Sequence, residues 1–202
     1  MASPVKTVNR KPKIQNPLSR CSWPLDDPLM IAYHDKEWGI PVHNDRKHFE
    51  YLVLDCFQAG LSWKTVLYKR KNFRKAFDRF DYNKIAKYDE KKFGALMQDA
   101  GIIRNKAKIR GTIRNARCFL EVRKEFGSFD AYIWQFTGYK TIQNRWKKLS
   151  DLPSRSKESD AMSKDLVKRG FAFVGSTICY AYMQAAGMVN DHLAGCFRYG
   201  TR

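Results

Sequence analysis

Two pairs of soft ligands, Cys21 with His34 and His192 with Cys196, stand near the two ends of this 202-residue chain. If they share one ion, both ends of the fold are fastened to a single point and most of the chain becomes a closed loop. The second pair is His-x3-Cys, a spacing that puts both side chains on one face of a helical turn. The first pair needs the tertiary fold to bring it together. Thiolate and imidazole are the donors of closed tetrahedral zinc sites, and four protein ligands leave no position for water, so a structural role outranks a catalytic one. Five Cys and four His scattered along the chain also permit such pairings by chance, and spacing alone leaves both readings open.

The length suits one domain, and 44% apolar residues are enough to fill its core. The charge narrows the partners. Lys and Arg number 38 against 20 Asp and Glu, a net +18, which is too basic for an ordinary metabolic enzyme and suits a polyanion, nucleic acid first among them. An odd cysteine count, no disulfide-like spacing and no recognisable secretory leader point to reduced thiols, with Cys56, Cys118 and Cys179 expected to be buried and inert. No apolar run is long enough to cross a bilayer, so a soluble chain without a membrane partner is expected.

Residues 1–19 hold Lys6, Arg10, Lys11 and Lys13, no acid, and Pro4, Pro12 and Pro17. Such a segment buries too little to offset its ordering entropy and is expected to be a disordered basic tail, either a phosphate-contacting arm or a solubilising one. Residues 20–202 are expected to form the folded domain. From Asp27 onward apolar residues recur at helical spacing without sustained alternation, which predicts an all-α fold. Helices are expected over 46–58, 62–77 and 90–98, then from beyond Gly101 to Gly127. Another is capped by Ser159 or Asp160 and stopped by Gly170, and the last starts at Ser176 and ends near Gly187. The polar stretch 137–158 reads as loop, with function expected elsewhere.

The segment from Leu96 to Ile109 reads as helix, glycine turn, helix, with Gly101 in the turn and Arg104, Lys106 and Lys108 opening the second helix. A tight turn feeding a helix N-terminus presents N–H groups to a phosphate, and the three bases would neutralise its neighbours. An ordinary αα-hairpin with a solvated basic face looks the same.

Several segments in order carry more. Arg20-Cys21-Ser22-Trp23, the run from Asp27 to Gly39 containing Tyr33, His34 and Trp38, Gln58-Ala59-Gly60-Leu61-Ser62-Trp63, Asp99-Ala100-Gly101-Ile102-Ile103-Arg104, Phe173 to Tyr180, and Val189-Asn190-Asp191-His192 together resemble the type I 3-methyladenine DNA glycosylases over about residues 20–197. The resemblance implies a helix-hairpin-helix glycosylase fold in which one structural zinc ion fastens the termini through Cys21, His34, His192 and Cys196. It implies a substrate of double-stranded DNA with alkylated purines and a monomeric enzyme. A cytoplasmic, nucleoid-associated location goes with that reading, and the basic tail leaves organelle targeting open. His43 and His48 fall outside the implied ligand set and are expected to be solvated.

The resemblance also assigns a base pocket. Trp63 would stack on the base, Tyr33 hydrogen-bond to it, and Trp23 line the same wall; Trp38 is either wall or core, and Trp134 and Trp146 match no pocket position. Gly60 and Leu61 would form a DNA-probing turn in which Leu61 fills the gap left by the extruded nucleotide. Asp55 takes the place of a Glu common in the family seven residues before the Ser of that turn. It would accept from the base's exocyclic amine or orient water, making it the catalytic and substrate-binding carboxylate. No Asp lies between Asp99 and Asp130 and no nucleophilic lysine follows the hairpin, which suits a monofunctional enzyme acting on a labile, cationic base. Asp55, Phe57 and Met30 depart from the family's usual residues, so two alternatives accompany 3-methyladenine excision: a glycosylase of shifted base specificity, and a non-enzymatic binder of damaged DNA.

Overall fold

The computed structural model describes residues 18–201, so the expected tail, residues 1–19, lies almost wholly outside them. Helices α1 (Pro28–Lys36), α2 (Asp45–Gln58) and α3 (Trp63–Ala76) come first, followed by the one-turn α4 (Tyr82–Ile85) and α5 (Glu90–Gln98). The long α6 (Lys106–Phe126) and short α7 (Phe129–Trp134) lead into a stretch that holds two single 3-10 turns, Gln135–Thr137 and Leu149–Asp151, after which α8 (Lys157–Lys168) and α9 (Ser176–Ala185) complete the helical part. Two short strands, β1 (Ile142–Gln143) and β2 (Val189–Asn190), pair in parallel with Ile142 opposite Val189. Among the described residues no helix is long and apolar enough to cross a membrane.

Helix α2 is the axis of the molecule. Residues 48–57 are all buried, as a helix apolar around most of its circumference must be, and α3, α6, α7 and α9 pack around it. Phe57 points into the core against Phe73, with ring centroids 4.7 Å apart. His48 is buried as well, which corrects the expectation of a solvated side chain. Its Nε2 lies 2.9 Å from Asp130 Oδ1 and its Nδ1 2.6 Å from the Tyr182 hydroxyl, because α7 and α9 cover the first turns of α2. His43 is exposed and stacks on the buried Trp134, their ring centroids 4.9 Å apart.

Local chemistry sets the helix starts. Asp27, Asn44, Ser62 and Asn105 each accept a backbone N–H from the first turn of α1, α2, α3 and α6, satisfying donors that the helix itself leaves over. Helix α8 begins earlier than expected. Ser156 is its cap, and Ser159 occupies the third position, accepting from the Ser156 N–H at 2.8 Å to close a capping box. After α9, Gly187 adopts φ +68, and a Cβ there would lie 2.2 Å from the Ile40 carbonyl carbon. That close approach lets the chain beyond α9 run beside the segment beyond α1, bringing the two ends of the sequence together.

Candidate active site and metal centre

A cavity of about 260 Å³ opens where α1, α2, α3 and α9 meet the stretch before α8. Trp23, Tyr33, Trp38 and Trp63 form its aromatic walls, and Asp55, Gln58 and Gln184 supply polar atoms. The rings support one another: Tyr33 lies 5.0 Å from Trp63, and Trp23 meets Trp38 nearly edge-on at 5.2 Å. Trp38, left open by the sequence, is therefore wall. Sequence reasoning missed Gln58, Gln184, Leu149 and Leu152. Gln58 was findable, since it follows Asp55 by three residues on the same helical face. Leu149 and Leu152 belong to the stretch in which no function was expected. They reach the cavity because Asn144 Nδ2 and Trp146 Nε1 donate to Asp191 Oδ1 at 2.7 and 2.8 Å and hold the stretch against the end of the chain.

Among the described residues, four buried side-chain polar atoms have no hydrogen-bond partner within the protein: Trp23 Nε1, Trp63 Nε1, Asp55 Oδ2 and Arg198 Nε. Three of these four belong to residues lining the one cavity. A folded protein leaves buried donors and acceptors unpaired rarely, because each costs about 1–3 kcal/mol. Asp55, only 2% exposed, is the most expensive of them. Burial raises its carboxyl well above the usual aspartate range, with Arg70 pulling weakly the other way. Two tryptophans with unpaired indole donors and an aspartate with an unpaired carboxyl oxygen thus line a space walled by aromatic rings, the complement of a flat heterocycle with polar edges. Phe57 and Met30 do not line the cavity, so of the three departures from the resembled pattern only Asp55 touches it.

The turn from Gln58 to Ser62 leads from this pocket to the surface. Gly60 takes φ +80, and Leu61 behind it is 42% exposed. Bonded to this turn lies the hairpin of α5 and α6, whose own turn is closed by Asp99 Oδ1 accepting from the Gly101 N–H at 2.8 Å. Arg104 and Lys106 are exposed on it, as phosphate contacts require. Lys108 is not. It is 7% exposed, burial lowers its ammonium from the ordinary lysine value, and its Nζ donates to the Phe57 and Ala59 carbonyls at 2.9 and 2.6 Å. The expected phosphate contact by Lys108 is corrected on that ground: its donors already cap the C-terminal end of α2.

Behind the pocket wall the four sequence-flagged ligands converge. Cys21, His34, His192 and Cys196 are all buried, with ligand atoms within 4.8 Å of one another, a cluster that could hold a metal ion. His192 Nδ1 lies 3.2 Å from His34 Nε2, 3.6 Å from Cys196 Sγ and 3.8 Å from Cys21 Sγ, while His34 Nε2 is 3.5 Å from Cys196 Sγ. The second ring nitrogens are engaged elsewhere. His34 Nδ1 meets Asp35 Oδ1 at 2.7 Å, and His192 Nε2 meets the Trp38 carbonyl at 3.1 Å, leaving Nε2 of one and Nδ1 of the other to face inward. Backbone N–H groups of Leu193 and Arg198 donate to the two sulfurs at 3.3 and 3.4 Å. Burial pushes the Cys21 thiol up to about 12 and the His192 imidazole down to about 4, so the cluster resists charge unless a cation supplies it. His43 and His48 are not in it.

The methyladenine glycosylase family model matches residues 23–199. The chain is 48% identical over 182 residues to DNA-3-methyladenine glycosylase 1 of Escherichia coli, covering 90% of this chain and 97% of that one. It is 45% identical over 178 residues to DNA-3-methyladenine glycosylase of Haemophilus influenzae, covering 88% and 96%. Its backbone superposes with a TM-score of 0.88 on the structure of 3-methyladenine DNA glycosylase I from Staphylococcus aureus, at 28% identity and covering 92% and 98% of the two chains. With a family match spanning the helices, the pocket and three of the four clustered Cys and His residues, the chain belongs to the methyladenine glycosylase family.

Proposed function

We propose that this protein is a monofunctional DNA glycosylase that hydrolyses the N-glycosidic bond of 3-methyladenine in alkylated double-stranded DNA and leaves an abasic site. The observation that carries the reading is that one aromatic-walled cavity is lined by three residues that each hold an unpaired buried polar atom, Trp23, Trp63 and Asp55. Methylation at N3 leaves adenine cationic, and the electron-rich faces of Trp63 and Tyr33 attract such a base by roughly 0.5–2 kcal/mol more than a neutral one. A cation arriving beside Asp55 also favours its ionised form. The carboxylate then accepts from the exocyclic amine or orients the attacking water.

The chemistry needs little more. The bond from C1′ to the base breaks with its electron pair going to the base, which departs neutral. Water oxygen bonds to C1′, and its surplus proton passes to the carboxylate or to solvent. Lys108 is committed to two carbonyls and Lys106 lies on the exposed face of the hairpin, where it serves as a phosphate contact rather than a nucleophile, so strand cleavage is not expected. Leu61 at the exposed turn fills the place of the extruded base, and Arg104 and Lys106 hold the backbone. One chain supplies every part, which fits a monomer.

The ion is proposed to be zinc, one per chain and structural. Bond lengths of about 2.3 Å to sulfur and 2.05 Å to nitrogen place tetrahedral ligand atoms about 3.3 Å apart for N–N, 3.6 Å for N–S and 3.8 Å for S–S. The 3.2 Å N–N separation and the N–S separations of 3.5, 3.6 and 3.8 Å fit that pattern.

Incubating N-methylated duplex DNA with the protein and chromatographing the supernatant tests the reading. The expected product is 3-methyladenine, with abasic sites in unbroken strands. A different released base would assign shifted specificity, and DNA retention without any released base would leave only a damage-binding module.

A further inference from the structure

The structure assigns Lys108 a positioning role: it locks the Gln58–Trp63 turn to the hairpin, so that phosphate engagement by the hairpin and insertion of Leu61 share one register. The inference rests on the glycosylase reading above. Its geometry is independent of that reading.

Helix α2 ends at Gln58 with Ala59 as its cap at φ −47, ψ 115, and the Ala59 N–H does not close it. The last carbonyls of a helix need donors and favour a cation. Lys108, on the first turn of α6, supplies both to Phe57 and Ala59. The next residues are Gly60 and the exposed Leu61, whose N–H reaches back to the Gln58 carbonyl at 2.6 Å. On the far side of the turn α3 is bonded to the same hairpin. Lys69 Nζ donates to the Ala100 and Gly101 carbonyls, and Asn72 Nδ2 to the Gly101 carbonyl, all at 3.3 Å. The turn carrying Leu61 is thus bracketed, its upstream end tied to the hairpin's second helix and its downstream helix to the hairpin's glycine turn. Asp55 and Gln58 precede it and Trp63 follows it, so a hairpin seated on a phosphate fixes how far Leu61 enters the stack and where the extruded base meets the pocket.

Lys108→Met keeps the stem and removes the donors. Leu61 has work to do only in a stacked duplex, so the strand form of the substrate separates positioning from general damage. A displacement on the order of 1 Å can cost about a hundredfold in rate, and a loss of that order is expected in single-turnover release of 3-methyladenine from duplex DNA. Release from single-stranded DNA should change far less, and binding of free 3-methyladenine, followed by tryptophan fluorescence, should be preserved. Lys108→Arg, which keeps cationic donors, should recover part of the duplex rate. If Lys108→Met does not fold, Lys108→Gln, which keeps a neutral donor, is read by the same duplex-to-single-strand ratio. Equal losses on both strand forms, or a duplex rate matching wild type, would overturn the assignment. A wild-type protein that releases no 3-methyladenine would instead defeat the glycosylase reading and this inference with it.

Discussion

Asp55 sets stability against chemistry within a single side chain. It sits in the most buried part of α2, with one carboxyl oxygen unpaired, and burial raises its carboxyl well above the usual value. In the unfolded chain an aspartate ionises near pH 4. As pH rises past that point the unfolded state loses a proton that the folded state keeps, so folding stability falls with rising pH until the folded group ionises too. Asp55→Asn removes this penalty. Its thermal midpoint is expected to exceed that of wild type near neutral pH, the difference closing as pH falls below about 4. The same substitution removes a charged acceptor, worth about 1.5–3 kcal/mol or roughly a tenfold to hundredfold loss of excision. Paired melting curves and single-turnover rates check both; a variant less stable at neutral pH, or one as fast as wild type, contradicts this role. The residue's place was legible seven positions before Ser62. Its isolation was not, because it depends on Trp23 and Trp63 arriving from other elements with their own N–H groups unpaired.

The elements that sequence rendered well are those whose pattern repeats: α2, α3, α5 and α6 appear within a few residues of their expected limits because apolar periodicity and caps are local signals. Lys108 was misread by composition, since it stands among basic neighbours. Yet Lys108, Thr112, Asn115 and Phe119 follow one another at helical spacing on the buried face of α6, and that periodicity outweighs the charge. The stretch 137–158 was misread for another reason: its order comes from a partner far along the chain. Asp191, 1% exposed, accepts from Asn144, Trp146, Tyr180 and Gln184, which ties the pocket's roof, α9 and β2 together. Asp191→Ala leaves four donors without that acceptor. A loss of about 3 kcal/mol or more is expected, a fall in Tm of about 6–12 °C for a domain of this size. Hydrogen exchange should quicken at the Ile142 and Asn144 amides, which bond to Met188 and Asn190. Unchanged exchange there would detach the roof from Asp191.

At the scale of the whole molecule, the cluster of Cys21, His34, His192 and Cys196 and the pocket share a wall. Trp23 lies 5.4 Å from the His34 ring and Trp38 4.6 Å from the His192 ring, so an ion that closed the chain ends would also brace the aromatic walls of the pocket. Elemental analysis should find one zinc per chain. Cys196→Ser, which weakens the closure, should lower Tm by about 6 °C or more, as a loss of roughly 3 kcal/mol implies; full stability in metal-free protein would end the idea. The clustering of these four residues was legible because both pairs lie in recognisable segments, whereas their contact with the pocket needed the fold. The claim that the pocket exists for a methylated base is tested most directly by following the indole N–H resonances of the tryptophans while free 3-methyladenine is added. Trp134 and Trp146 already donate to Val42 O and Asp191, whereas Trp23 and Trp63 have no partner. The expected result is that the Trp23 and Trp63 signals shift saturably while those of Trp134 and Trp146 stay in place. Saturable binding that moves Trp134 or Trp146 and leaves Trp23 and Trp63 unchanged would contradict it.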